Sequence, residues 1–152
     1  MPTRRLLLAL PALLATPALA PALAQQPPRF VEIVPTEGRG AVHLAVTQVV
    51  RIGRAEGATV IDTAAWVQQR TVEPVDSVAR RLSEAGLRLI VLTDLANGRI
   101  FLAADRVVLV RESQERHAVG ARAAVVMVGL RFGTDVAVRE SVAEVMAALA
   151  AR

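Results

Sequence analysis

The 152-residue chain has no cysteine and no tyrosine, and its other aromatic residues are three phenylalanines and one tryptophan. Without cysteine the chain cannot form disulfides, thiolate metal sites, a cysteine nucleophile or a lipid-modified cysteine. Surfaces that bind nucleic acids combine basic residues with aromatic side chains on which bases stack. Because aromatic residues are so few here, we expect no nucleic-acid partner.

Lysine is also absent, so arginine supplies every basic side chain. Lys+Arg number 18 and Asp+Glu number 14, which gives a net charge of +4. Two arginines, Arg4 and Arg5, lie in an N-terminal segment that we expect to be removed, which leaves 16 (18 − 2) basic residues against 14 acidic ones. The resulting surplus of +2 (16 − 14) gives little reason to expect an anionic partner.

The first 24 residues have the organisation of a signal peptide. Arg4 and Arg5 begin it, residues 6–14 are apolar, and Ala22-Leu23-Ala24 matches an A-x-A cleavage site. Pro11, Pro17 and Pro21 disfavour a continuous spanning helix. We therefore expect a periplasmic or secreted protein without a stable membrane anchor after cleavage. The general secretory route and the twin-arginine route both stay open.

Removal of residues 1–24 leaves 128 (152 − 24) residues, about the length of one domain. Residues 25–29 are predicted to be a short leader. Beyond them, short apolar runs alternate with turn residues, and the spacing of apolar residues becomes helical twice. We predict an α+β fold of two tandem β-rich repeats, 30–86 and 87–152. Each repeat has three to five strands followed by one helix, and the two pack as a pseudo-symmetric single domain.

The two predicted repeats share a sequence pattern. Residues 42–52, VHLAVTQVVRI, match residues 100–110, IFLAADRVVLV, at an offset of 58, and the helix entry at Glu73 matches the one at Glu140 at an offset of 67. We assign the difference of nine residues (67 − 58) to an insertion at 113–122. One unit alone would expose apolar strand surface, so we expect the pair to bury it.

Local signals mark the ends of several elements. Asn97-Gly98 predicts a hairpin, Pro74 suits the first turn of a helix, and Gly86 suits its end. Ser141 and Glu144 predict a capping box at the start of the second helix. Val107 to Val110 is apolar throughout, which is typical of a central strand buried on both faces.

The second predicted repeat contains three motifs: Leu92-Thr93-x-Leu95-x-Asn97-Gly98, Phe101-Leu102-x-x-Asp105-x-Val107 and Val138-x-Glu140-Ser141-Val142-x-Glu144-Val145. Together they resemble the FlbD family, also called the swarming-motility SwrD family, whose members are small flagellum-associated proteins of one such unit. The resemblance implies a strand–turn–strand–helix fold and, as one alternative function, a motility-associated accessory role. Ala96, Ala103 and the insertion at 113–122 depart from the family pattern.

Few residues suggest chemistry. His43 lies on the polar face of a predicted strand, and we expect a half-buried structural histidine. His117 lies among glutamates in a solvated loop without the spacing of a zinc site. Trp66 is expected to anchor the core. Neither a nucleophile-elbow motif nor a glycine-rich phosphate motif is present. We predict no enzyme activity, no catalytic or metal-binding residue and no cofactor.

The leading hypothesis is an exported, non-catalytic interaction module of unknown pathway. Its partner would be another protein or a second copy of the chain, bound through a sheet edge. The alternative is a periplasmic small-anion-binding protein or enzyme with a pocket between the two repeats. Arg111, Arg122 and Arg131 are the candidate anion-binding residues for that alternative.

Overall fold

The structure, a computed structural model, describes residues 29–38, 40–130 and 135–151. The predicted signal peptide and the first four residues of the predicted leader lie outside the described residues. The described ranges contain ten strands and two helices. The strands are β1 (Phe30–Ile33), β2 (Val42–Ala45), β3 (Val49–Ala55), β4 (Ala58–Thr63), β5 (Gln68–Thr71), β6 (Leu89–Thr93), β7 (Arg99–Ala103), β8 (Val107–Glu112), β9 (Ala123–Met127) and β10 (Asp135–Val138). The helices are α1 (Val75–Glu84) and α2 (Val142–Ala150).

The strands form three antiparallel sheets. One has five strands in the order β5-β4-β3-β7-β6, one has three in the order β10-β9-β8, and β1 pairs with β2. The pairing of β3 with β7, in which Ile52 faces Phe101, joins strands that lie before and after α1 in the chain. These sheets and two helices make an α+β fold, which confirms the fold class predicted from the sequence. Neither described helix combines the length and apolarity needed to cross a membrane.

Buried apolar side chains form two clusters, one containing residues of α1 and the other containing Val145 of α2. Phe101 of β7 belongs to the α1 cluster, and Val50 of β3 belongs to the α2 cluster. Burial of a side chain of this kind contributes about 1.5–3 kcal/mol. The α1 cluster therefore contains a side chain from the part of the chain after α1, and the α2 cluster contains one from the part before α1.

Both helices begin, and α1 ends, where local chemistry predicts. Ser141 Oγ accepts a hydrogen bond from the Glu144 amide (3.3 Å), and Glu144 Oε2 accepts one from the Ser141 amide (2.6 Å), so the predicted capping box is confirmed. Pro74 precedes α1 as its N-cap. At the other end of α1, Gly86 has a φ of +100° and its amide donates to the Ser83 carbonyl, which is the usual glycine stop.

The strand at Val107 to Val110 differs from the prediction. Within the described residues β8 pairs only with β9, so it is an edge strand, and Val108 and Leu109 are 58% and 44% exposed. The prediction of burial on both faces is wrong, because an apolar run does not specify whether a second neighbouring strand exists. A bulge between Val107 and Leu109 also shifts the register of β8 against β9.

Candidate functional site

The turn between β4 and β5 has an unusual residue at its tip. The Thr63 amide donates to the Val67 carbonyl (3.1 Å), the Trp66 amide donates to the Thr63 carbonyl (2.9 Å), and Trp66 has a φ of +63°. This left-handed conformation costs an L-residue about 1–2 kcal/mol, and a bulky residue rarely adopts it. The backbone of this turn therefore favours glycine or asparagine at the position that Trp66 occupies.

The turn between β6 and β7 has the same hydrogen bonds and a favoured residue. The Asp94 amide donates to the Gly98 carbonyl (2.8 Å), the Asn97 amide donates to the Asp94 carbonyl (3.1 Å), and Asn97 has a φ of +62°. The hairpin predicted from Asn97-Gly98 is confirmed, although the turn is longer than two residues. Asn97 therefore shows which kind of residue suits this turn position when turn geometry alone determines the choice.

Trp66 is 62% exposed, so the prediction that it anchors the core is wrong. Trp66 lies at the tip of the hairpin formed by β4 and β5, where no core surface surrounds its side chain.

A cavity of about 220 Å³ lies beside Trp66, and we call it the Trp66 cavity. Its walls come from two distant parts of the chain, β3 to β5 on one side and the residues around the start of β10 on the other. The lining residues are Arg51, Asp62, Thr63, Trp66, Val67, Gln68, Gly129, Leu130, Asp135 and Val136.

Gly129 brings the two walls of the Trp66 cavity together. Its φ is +95°, and a Cβ atom built on it would lie 2.9 Å from Ala64 Cα and 2.9 Å from Val50 Cγ2. Only glycine permits this approach of the segment after β9 to the turn after β4.

The polar groups on the first wall of the Trp66 cavity are partly matched with one another. Arg51 and Asp62 form an ion pair at 3.9 Å, and Gln68 Nε2 donates to Asp62 Oδ1 at 2.7 Å. Arg51 Nε is buried and has no hydrogen-bond partner in the described part of the chain. The same holds for Arg111 Nε and Arg139 Nε, so Arg51 Nε does not by itself mark a ligand site.

The second wall of the Trp66 cavity contains Asp135, whose carboxylate is only 6% exposed. It accepts hydrogen bonds from Arg111 (2.7 Å), Arg116 and His117 (3.3 Å). Burial raises the pKa of Asp135, but the hydrogen bonds from these three side chains outweigh burial and hold the pKa below its ordinary value. Asp135 is therefore a carboxylate whose charge is compensated by neighbouring arginines.

His117 lies in the predicted insertion at 113–122, which forms the connection between β8 and β9. Its Nδ1 accepts a hydrogen bond from the Gln114 amide (2.8 Å), so in the neutral ring Nε2 bears the hydrogen that is donated to Asp135. The loop is exposed at Gln114, Glu115 and Arg116, as predicted, whereas the imidazole of His117 within it is only 6% exposed. The hydrogen bond from His117 to Asp135, 18 positions away, connects the insertion to β10.

The three predicted anion-binding residues have separate surroundings. Arg111 pairs with Asp135, Arg122 pairs with Glu144 at 3.2 Å on the surface, and Arg131 lies outside the described residues. Both described guanidinium groups thus face a carboxylate of the same chain. The anion site stays a prediction.

His43 is exposed, so the expectation of a half-buried side chain is wrong. Its aligned residue, Phe101, is buried because β7 has a neighbouring strand on each side, whereas β2 pairs only with β1 among the described strands. Over the described ranges, no group of three or more His, Asp or Glu side chains is arranged to hold a metal ion.

Sequence reasoning missed most of the Trp66 cavity, including Arg51, Asp62 and Asp135. The connection between β4 and β5, residues 64–67, is apolar and contains no glycine, proline, asparagine or aspartate, so no turn signal in the sequence placed Trp66 at the tip of a hairpin. Comparison of the chain with protein-family models, with curated proteins and with solved structures gave no match. The Trp66 cavity and the open edge of β8 are therefore the features from which a function is inferred.

Proposed function

We propose that the chain is a tandem pair of related βα units and acts as an exported, non-catalytic interaction module. Its binding surface is the open edge of β8, and its partner is a second copy of the same chain. The observation that carries the proposal is that β8, a strand of six residues of which the first four are apolar, has a paired neighbour on one side only within the described residues. An exposed apolar edge of this kind is a template for another strand.

The order of elements supports the tandem relation. Residues 30–84 and residues 89–150 each follow the order of two strands, a 3₁₀ turn, three strands and a helix. Equivalent hydrogen bonds recur in both segments at nearly the same distances. The matched pairs are Val46 to Arg29 (2.9 Å) with Ala104 to Arg88 (2.9 Å), and Ala64 to Gln48 (2.8 Å) with Val128 to Arg106 (2.9 Å), donor first.

In this tandem relation β8 is the counterpart of β3, at the offset of 58 that separates Val49 from Val107. Both strands follow a 3₁₀ turn, and both have a register shift after the first residue. β3 pairs with a strand on each side, and its Val50 is fully buried. The counterpart of Val50 is Val108, which is exposed. What β8 lacks is the neighbour that β7 supplies to β3.

β2 of a second copy is the strand that fits the β8 edge. β2 is the counterpart of β7, since residues 42–45 correspond to 100–103, and within the described residues it pairs only with β1. Its outer edge therefore offers β8 the antiparallel partner that β7 offers β3. Reciprocal pairing of β8 with β2 in both copies gives a closed two-fold dimer, the commonest symmetry of soluble oligomers. Val108 and Leu109 are 58% and 44% exposed, so burial of the area that is still exposed would contribute about 1 kcal/mol each.

Sedimentation velocity of the purified chain tests this proposal. We expect a dimer whose population rises with concentration, and a monomer for Leu109→Lys, because a lysine on an edge strand opposes pairing. Val119→Lys is the matched control, since Val119 is 99% exposed in the connection between β8 and β9 and is not part of the β8 edge. A monomeric wild-type chain, or a Leu109→Lys variant that dimerises as well as Val119→Lys, would overturn the proposal.

Export is tested separately, by fractionation of cells that express the intact chain. We expect the protein outside the cytoplasm with Gln25 as its first residue. A cytoplasmic protein that retains Arg4 and Arg5 would contradict export, and it would leave the proposal for the β8 edge to be judged by sedimentation.

A further inference from the structure

We propose that the Trp66 cavity binds a neutral saccharide ring, with the indole of Trp66 as the surface on which the ring stacks. No residue of β8 lines the cavity, so the proposal goes beyond the interaction module. It rests on three observations: the conformation of Trp66, the compensated charges of the cavity and the size of the cavity.

The conformation of Trp66 favours a binding role over a structural one. In the matching turn between β6 and β7, the same backbone position has Asn97 at nearly the same φ, +62° against +63°. Tryptophan is therefore unfavourable at this turn position, and because its ring is exposed, burial in the core does not offset the conformational cost. A residue held in a sparsely populated conformation at the mouth of a cavity is a mark of function.

The polar groups of the Trp66 cavity match hydroxyl groups. The carboxylate of Asp62 accepts hydrogen bonds, while the guanidinium of Arg51 donates them. Arg51 and Asp62 form an ion pair, and Asp135 pairs with Arg111 and Arg116. Each charged side chain that lines the cavity therefore already has an oppositely charged neighbour, which favours a neutral polar ligand over an ion. A sugar hydroxyl both donates and accepts, so neighbouring hydroxyls can bind such a set of side chains without carrying charge.

The size of the Trp66 cavity fits one ring. Its volume of about 220 Å³ is below the range of about 300–1,000 Å³ that is usual for pockets holding drug-sized ligands. A sugar ring also has an apolar face of C–H groups. This face can pack against the exposed face of the indole and against the aliphatic wall formed by Val67, Leu130 and Val136. A ligand this small is expected to bind with a Kd of about 1 mM.

Trp66 is the only tryptophan in the chain, so its fluorescence reports directly on this cavity. The probes are glucose, N-acetylglucosamine and their β-linked disaccharides, with inorganic phosphate and choline as an anion and a cation. We expect a saturable change in emission with at least one saccharide and none with phosphate or choline. Saturation by phosphate or choline alone, or by none of the probes, would overturn the proposal.

Trp66→Asn separates binding from folding, because asparagine suits the turn. We expect its Tm to equal or exceed that of the wild-type chain, and its affinity for the saccharide, measured by calorimetry, to fall by more than about tenfold. Val72→Asn, which replaces another exposed apolar residue away from the cavity lining, should bind as the wild-type chain does. Trp66→Asn with wild-type affinity, or with a clearly lower Tm, would overturn the proposal. Saccharide binding by Leu109→Lys shows that the site is independent of the dimer.

Discussion

Thr93, at the end of β6, donates its backbone N–H to the carboxylate of Glu140, 2.9 Å from Oε1 and 3.1 Å from Oε2. The two residues are 47 positions apart, and Glu140 immediately precedes the N-cap of α2. In the first segment, the Val34 amide after β1 donates to Glu73 Oε1 at 2.9 Å, just before α1. The same kind of contact thus ties the first hairpin of each segment to the start of its helix.

Replacement of Glu140 by alanine should leave the Thr93 amide without this partner. We expect Glu140→Ala to lower the free energy of unfolding by about 1–3 kcal/mol, and Glu140→Gln, which keeps an oxygen acceptor, to lower it less. Urea unfolding measures the difference. Glu115→Ala is the control, since Glu115 is exposed and its change should stay within about 0.5 kcal/mol. Equal effects for Glu140→Ala and Glu115→Ala would mean that the contact contributes nothing.

Gly129→Ala should destabilise the chain for two reasons, strain and crowding. The left-handed φ of +95° is unfavourable for alanine, and the new Cβ would lie 2.9 Å from atoms of Ala64 and Val50. We expect a loss of about 2–4 kcal/mol in the free energy of unfolding, read from urea or thermal unfolding. Gly57→Ala isolates the strain, because Gly57 has a φ of +78° and open space around it, and it should cost about 1–2 kcal/mol. A smaller loss at Gly129 than at Gly57 would contradict the close approach.

Acid should weaken the fold through Asp135. Because its pKa is lower in the folded chain than in the unfolded chain, the ionised carboxylate stabilises the fold at pH values above its unfolded pKa of about 3.9. This contribution is lost as the pH falls from about 4 through the lowered folded value. Urea unfolding should therefore give a lower free energy of unfolding at several pH values below 4 than at pH 7. A Glu115→Ala control should show about the same loss.

Asp135→Asn should be less stable at neutral pH, because Arg111 and Arg116 lose the anion that they bind. Its stability should also depend less steeply on pH in the acid range. Hydrogen bonds from the backbone and then the side chain of Ser141 lower the pKa of Glu144 in the same direction, so some acid dependence should persist. An unchanged acid dependence in Asp135→Asn would show that Asp135 does not contribute to it.

Ser141→Ala should remove the capping box of α2. We expect a loss of about 0.5–2 kcal/mol in the free energy of unfolding and faster amide exchange in the first turn of α2. Ser83→Ala serves as the comparison, because Ser83 is an exposed residue near the C-terminal end of α1 and alanine favours the helix there. Similar effects of the two substitutions would argue that the capping box is not formed in solution.

The sequence predicts those features of this chain that depend on neighbours in the chain. Ser141 and Glu144 are three positions apart, and the hairpin at Asn97-Gly98 is closed within five residues, so local hydrogen bonds determine both. The α+β class follows in the same way from the period of the apolar residues.

Features that depend on distant pairing were predicted less well. The apolar run Val107 to Val110 would look the same in a central strand and in an edge strand, because the missing neighbour lies elsewhere in the chain. The burial of His117 requires Asp135, and the Trp66 cavity requires Gly129 to meet Ala64. None of these partners can be identified from spacing along the sequence.

The most direct test of the β8 edge uses the absence of cysteine from the chain. Ile52 faces Phe101 in the β3–β7 pairing, so the tandem relation predicts that Val110 of one copy faces His43 of another. Facing residues of antiparallel strands lie close enough for a disulfide. A mixture of Val110→Cys and His43→Cys chains should form a covalent dimer on mild oxidation, while Val119→Cys mixed with His43→Cys should not. Equal cross-linking in the two mixtures, or none in either, would contradict the account.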